Sequence, residues 1–145
     1  MNDKLLKQIT NNLTPLDTEE LYANMLDDCY GEVSIAGMNY QTSRALKELD
    51  PTAFRCGEVD YIDSLSLVEI GGDYYEQDAV ETERDSLLTD LEMEADEFKG
   101  DIDQVNDDIL DEIYTQEEGE VEIRKIQEKL DALTAEIEKI KEYVF

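Results

Sequence analysis

The chain contains no histidine, and only 12 lysines and arginines stand against 39 aspartates and glutamates. Without imidazole, the commonest general base and the commonest metal ligand are both missing. A cysteine nucleophile would lack its usual proton acceptor. Cys29 and Cys56 form no metal-spaced pair and read as reduced, partly buried thiols, the usage of a cytosolic protein. No apolar run approaches the ~20 residues of a membrane span. The start, Met1-Asn2-Asp3-Lys4-Leu5-Leu6-Lys7, lacks the apolar core of a signal peptide. No glycine-rich loop is set between a strand and a helix, so no phosphate cradle is expected. These absences exclude the ordinary enzyme classes; no catalytic residue, cofactor or metal is expected.

Acid is what the chain has in excess. Its 145 residues carry a formal net charge of −27, several times the magnitude of ~2–8 that keeps a small domain soluble. Such self-repulsion costs stability and disfavours direct contact with nucleic acid or an anionic membrane. A partner should be basic.

The hydrophobic pattern divides the chain. From Gln77 to Phe145 it predicts a long antiparallel helical hairpin. Leu88, Leu91, Ala95, Phe98, Ile102, Val105 and Ile109 recur in strict three-four alternation, and Ile123, Ile126, Leu130, Leu133, Ile137, Ile140 and Val144 do the same. Thr115-Gln116-Glu117-Glu118-Gly119 interrupts both stripes and supplies the predicted turn. Leu87, Leu110, Ile113 and Val121 lie off the stripes and would suit a second contact surface.

Residues 1–76 read as a small α+β head. Leu5, Leu6, Ile9 and Leu13 predict an amphipathic helix over 2–13, closed by Pro15. Asp17 with Glu20 predicts a capped second helix whose apolar face is Leu21, Tyr22, Met25, Leu26 and Cys29, with Gly31 as its stop. Residues 32–40 predict a strand, with Gly37 marking a bend or turn. A third helix is expected from Thr42 or Ser43 to Leu49, and Asp50-Pro51 opens a fourth. Leu67 to Ile70, Gly71-Gly72-Asp73 and Tyr74-Tyr75 predict a β-hairpin. The fold class is therefore α+β: a helical head with a two- to three-stranded antiparallel sheet, then a coiled-coil hairpin.

The charge is not spread evenly. Residues 76–118 hold 18 acids against Arg84 and Lys99 alone, whereas residues 120–142 hold 7 acids and 5 bases. As one continuous helix, residues 76–118 would extend about 64 Å. That sets one carboxylate per ~3.6 Å, close to the ~3.4 Å per phosphate of a DNA strand. Two other clusters have plainer explanations. Asp101, Asp103 and Glu112 have partial calcium-loop spacing, but Val105 and Asn106 depart from it and the stripe requires a helix there. Arg44, Lys47 and Arg55 could mark an anion site at the fourth helix; pairing with Glu48, Glu58 or Asp60 is the simpler expectation.

Residues 21–76 also carry a resemblance. Ser43 to Asp50, then Asp50-Pro51-Thr52-Ala53-Phe54-Arg55-Cys56-Gly57, with Asp60-Tyr61-Ile62-Asp63-Ser64 and the Gly-Gly-Asp-Tyr-Tyr hairpin, resemble a module of small acidic proteins encoded by tailed bacteriophages. In that module a bulky residue and Asn follow Cys-Gly, where this chain has Glu58 and Val59. The resemblance implies a phage origin and shared fold but no reaction, and the long hairpin lies outside it.

With that resemblance, the acidic arm is expected to make the chain a non-enzymatic, phage-type inhibitor in the host cytoplasm. It would imitate DNA and occupy the basic nucleic-acid-binding surface of a host defence protein, a CRISPR effector or a nuclease. The partner-binding residues expected are Glu92, Glu94, Asp96, Glu97, Asp101, Asp103, Asp107, Asp108, Asp111 and Glu112. No nucleic acid or membrane is expected as a direct partner. The alternative expectation is a coiled-coil assembly protein of a phage, paired with a second copy through the hairpin.

Overall fold

The structure, a computed structural model, describes residues 3–143. The fold is α+β, with six helices and two separate two-stranded antiparallel sheets among the described residues. Two compact units are present. One is Asn12–Val80; the other joins the residues up to Asn11 to those from Glu81 onward. The first helix, α1 (Asp3–Thr10), thus groups with the hairpin residues, burying Leu5 and Ile9. It ends before Leu13, which the periodicity had placed in it.

In the Asn12–Val80 unit, α2 (Thr18–Tyr30) starts where Asp17 accepts a hydrogen bond from the Glu20 N–H at 3.1 Å, and stops at Gly31, whose φ is +66°. Residues 32–40, expected as a strand with a bend or turn at Gly37, belong to a complete hairpin: β1 (Glu32–Ile35) pairs with β2 (Met38–Gln41). Both turn residues, Ala36 and Gly37, have positive φ (52° and 81°). That is the two-residue turn whose twist suits adjoining strands. Alanine pays a steric penalty there, so of the two turn residues only Gly37 signals the turn in the sequence.

Helix α3 (Thr42–Leu49) has no cap of its own; Gln41 makes no capping side-chain bond. Asp27 of α2 serves instead, its two carboxylate oxygens accepting from the Ser43 N–H and Oγ, each at 2.8 Å. Helix α4 (Pro51–Asp63) begins as expected, with Asp50 accepting from the Ala53 N–H at 3.0 Å and Pro51 in the first turn. Strands β3 (Leu67–Ile70) and β4 (Asp73–Glu76) form the predicted hairpin, with Gly71 and Gly72 at φ +67° and +97°. A single bridge from Leu16 to Tyr74 extends the β4 edge.

The core of this unit is Tyr22, Leu26 and Phe54, with Ala23, Met25, Leu46 and Tyr61 packed around it. Tyr22 meets Phe54 edge-on at 5.1 Å between ring centroids. Its hydroxyl end lies over α4, where a Cβ on Gly57 would sit 2.0 Å from Tyr22 Oη. Gly57 is therefore a close-approach residue. Burial, aided by the charges of Tyr30 and Asp60, raises the Tyr22 pKa above its usual value.

The hairpin consists of α5 (Gln77–Leu110, 34 residues) and α6 (Gln116–Lys141, 26 residues), packed along the predicted stripes. Ala95, Leu130, Leu133 and Ile137 form a buried cluster, with Leu88, Leu91, Phe98 and Ile102 packed against it. At ~1.5–3 kcal/mol for each large buried side chain, this seam is the main source of cohesion. Val144, the last stripe residue in the sequence, lies outside the described residues. A Lys141–Glu92 ion pair at 2.6 Å joins the arms near their open end.

The turn falls earlier than predicted. Helix α5 ends at Leu110; the Ile113 N–H donates to Asp108 O at 2.9 Å and the Glu112 N–H to Ile109 O at 3.2 Å. Those two bonds form a Schellman cap, with Glu112 at φ +61° where glycine is usual. Thr115 then caps α6 in a reciprocal box with Glu118. Its hydrogen bonds hold the Glu118 carboxyl below the usual range. Gly119, expected in the turn, lies inside α6 and is buried: a Cβ there would come within 2.3 Å of Ile109 Cδ1. Glycine lets the arms close together; it does not bend the chain.

Candidate interaction surface on α5

The ten acidic residues singled out in the sequence do not share one rod. Eight, from Glu92 to Asp108, lie on α5; Asp111 and Glu112 belong to the connection. The acidic segment of residues 76–118 is interrupted there, so the continuous helix is about 51 Å long, not 64 Å. Nine of the ten are exposed, and Asp108 is half-buried. Residues 101–110 are helical, so Asp101, Asp103 and Glu112 do not form a calcium loop. No group of three or more metal-ligating side chains occurs among the described residues.

At about 100° per residue, these carboxylates occupy two rows on α5, one about 130° and the other about 90° around the helix from the centre of the seam. Glu92, Asp96, Asp103 and Asp107 form one flank. Glu94, Glu97, Asp101 and Asp108 form the other. The flanks stand ~140° apart, which on a helix of ~10–12 Å outer diameter separates the rows by roughly 10 Å.

The two rows differ in neutralisation. Glu92 pairs with Lys141 at 2.6 Å and Asp96 with Lys99 at 2.8 Å, so half of the first row has a cation beside it. In the second row no residue has an ion pair among the described residues. Asp90, absent from the sequence-based set, belongs to this row. Asp90, Glu94, Glu97, Asp101, Gln104 and Asp108 recur at steps of four, three, four, three and four, a polar stripe as regular as the seam. Gln104 donates to Asp108 at 2.9 Å and completes it. Asp90 could have been found by asking which acids share a stripe. Acid density along the chain does not single it out.

Like charges three or four positions apart on a helix each cost ~0.2–0.5 kcal/mol. The stripe contains three such contacts (90–94, 94–97, 97–101), and no cation relieves them. A stripe of this kind weakens the helix it sits on. In water it is an array of hydrated carboxylates; against guanidinium or ammonium groups each carboxylate accepts a charge-assisted hydrogen bond.

In the other unit, Arg44, Lys47 and Arg55 are the bases that the sequence brings forward. Lys47 pairs with Glu19, not with the predicted Glu48, Glu58 or Asp60, and lies 5.8 Å from the Phe54 ring centroid. The hydrogen bond to Glu19 raises the Lys47 pKa. Glu58 accepts from Thr18 Oγ1 at 2.7 Å, and Arg44 lines a surface depression with Ile35, Tyr40 and Leu49. Lys47 is thus already paired within the unit. Cys29 and Cys56 are free and exposed, not partly buried as expected. No helix among the described residues is long and apolar enough to cross a membrane. Comparison with protein-family models, with characterised proteins and with solved structures finds no match for this chain.

Proposed function

We propose that the protein is a non-enzymatic inhibitor that presents α5 to the basic nucleic-acid-binding surface of another protein and excludes the nucleic acid by imitating its backbone. One observation carries this: the unneutralised stripe Asp90, Glu94, Glu97, Asp101 and Asp108 on a rigid, two-helix support. From residue 90 to 108 the helix rises about 27 Å and carries nine acids, one per ~3 Å, the linear density of a single nucleic-acid strand. A packed seam holds that density at low conformational entropy, which a disordered acidic tail could not do. The likeness of residues 21–76 to phage proteins supports a host defence protein as the target, a CRISPR effector or a nuclease.

The test is capture on immobilised protein from nuclease-treated bacterial lysate at low salt, followed by elution. Elution by added duplex DNA, and by modest salt, is the expected result. Retention of the target in the presence of duplex would refute competition.

Self-association into a coiled-coil assembly is the second reading. Exposed Leu110, Ile113 and Val121 favour it, but they gather at the closed end of the hairpin; along the rest of α5 Met93 is the one exposed large apolar side chain among the described residues. A four-helix dimer needs an apolar stripe along its length. Sedimentation as a dimer at micromolar concentration would revive this reading.

A further inference from the structure

The closed end of the hairpin exposes a group of apolar side chains in a very acidic protein. Four of the ten exposed large hydrophobic side chains among the described residues fall within residues 110–121. Leu110 is 79 % exposed, Ile113 67 %, Val121 46 % and Tyr114 38 %. The cap geometry makes this exposure conspicuous. A Schellman cap usually folds its last apolar side chain onto the preceding turn. Here Ile113 occupies that position, but the turn offers Asp107 and Asp108 in place of apolar side chains, and Ile113 stays largely exposed. Beside it, Tyr114 and Val121 line a depression of about 490 Å³ with Thr115, three glutamates (Glu117, Glu118 and Glu122) and one cation, Lys125, which pairs with Glu122 and leaves the rim acidic on balance.

Charge limits what can cover these side chains. From Gly100 to Ile123 the chain has ten acids and no base. A second copy docking end to end would oppose two such sets, and like-charge juxtaposition at an interface costs several kcal/mol. An anionic membrane is excluded on the same ground. A segment with an apolar stripe flanked by lysines or arginines satisfies both halves of the surface. Its apolar side chains cover Leu110 and Ile113 and enter the depression, and its cations meet the acidic rim.

We infer that the hairpin tip is a docking surface for a cationic amphipathic helix of a partner protein. This site is separate from the α5 stripe, since purely electrostatic imitation has no use for these four side chains.

A synthetic lysine–leucine peptide with leucines at helical spacing is the probe, and a peptide of identical composition with scrambled leucines is its control. Binding is followed by nuclear magnetic resonance on the full chain. The wild type should bind the patterned peptide about tenfold more tightly than the scrambled one, a difference of about 1.4 kcal/mol. The largest shift changes should fall at Leu110, Ile113, Tyr114 and Val121. In L110S/I113S that preference should disappear while scrambled-peptide affinity is unchanged; both side chains are exposed, so folding is not at risk. Equal affinity for the two peptides in the wild type, or shift changes centred on Glu94 to Asp101, would overturn the inference. So would a wild type that sediments as a dimer when the double variant is a monomer. E94Q/E97Q should weaken both peptides equally and keep the ratio, so failure of the α5 reading and failure of the tip are told apart.

Discussion

The two arms of the hairpin share an interface and differ in what they show to water. On α6 the acids of residues 120–142 are nearly balanced by bases, with Lys125 on Glu122 at 3.0 Å and Gln127 donating to Asp131 at 2.8 Å. On α5 the same kind of seam is backed by a carboxylate stripe without cations. Packing needs only the apolar positions, and α6 shows that a balanced outer face is compatible with this partner. The imbalance on α5 is therefore not demanded by the fold, and it works against helix stability. A feature that costs stability and serves no packing role points to an external use.

The largest expected effect concerns what the arms share. Ile137→Ala, a buried seam substitution, should lower the unfolding free energy by about 3 kcal/mol, read by urea denaturation. A loss below ~1 kcal/mol would mean the seam is not the source of cohesion, and the comparison of outer faces would lose its footing.

Next come the two corrections at the turn, which have opposite signs. Gly119→Ala brings a methyl into Ile109 and should cost about 1 kcal/mol net of alanine's better helix propensity. In an Ile109→Ala background the same change should cost nothing further. Glu112→Gly removes a non-glycine residue from φ +61° and should raise stability by about 1 kcal/mol. Thermal unfolding followed by circular dichroism measures both.

The charge comparison itself is smaller in energy. Glu97→Lys places a cation between Glu94 and Asp101 and should stabilise the hairpin by roughly 0.5 kcal/mol, whereas Lys125→Glu on α6 should destabilise it by a similar amount. Both effects should shrink in high salt. If Glu97→Lys destabilises, the stripe is structural and the contrast between the arms disappears.

The smallest effect is the pH response of the α6 cap. The Thr115 hydrogen bonds hold the Glu118 carboxyl below its usual range. A depressed carboxyl contributes stability that is fully present above the ordinary carboxylate value and is lost as pH falls through the lowered one. Thr115→Ala should return the Glu118 titration, followed by carbon resonance shifts, upward toward the ordinary range.

Much of this fold is written in local patterns. The stripes on both arms, the Asp17 and Asp50 caps and the Gly71-Gly72 turn rest on short-range rules of spacing and backbone geometry, and each appears in the structure where the residues indicate. The misses arise where a distant contact or an atypical residue decides. Ala36 and Glu112 adopt positive φ without being glycine, so Gly37 alone hints at the β1–β2 turn and nothing in the composition marks the end of α5. Asp27 capping α3 across 16 residues has no local signature. Gly119 looks like a breaker, but it admits Ile109 from the other arm, much as Gly57 within α4 admits Tyr22. On the surface, acid density was legible. Which carboxylates are matched by cations was not, because Glu92 is neutralised by Lys141, 49 positions away.

The most direct test compares equal charge changes on opposite arms. One variant carries E94Q, E97Q and D101N on α5; the other carries E128Q, D131N and E138Q, all exposed, on α6. Each removes three negative charges, so net charge is matched. Affinity for the target captured from lysate, measured at fixed ionic strength, should fall at least tenfold for the α5 variant and about twofold or less for the α6 variant. Equal losses in the two would show that overall charge, not the α5 stripe, governs binding, and would contradict the account.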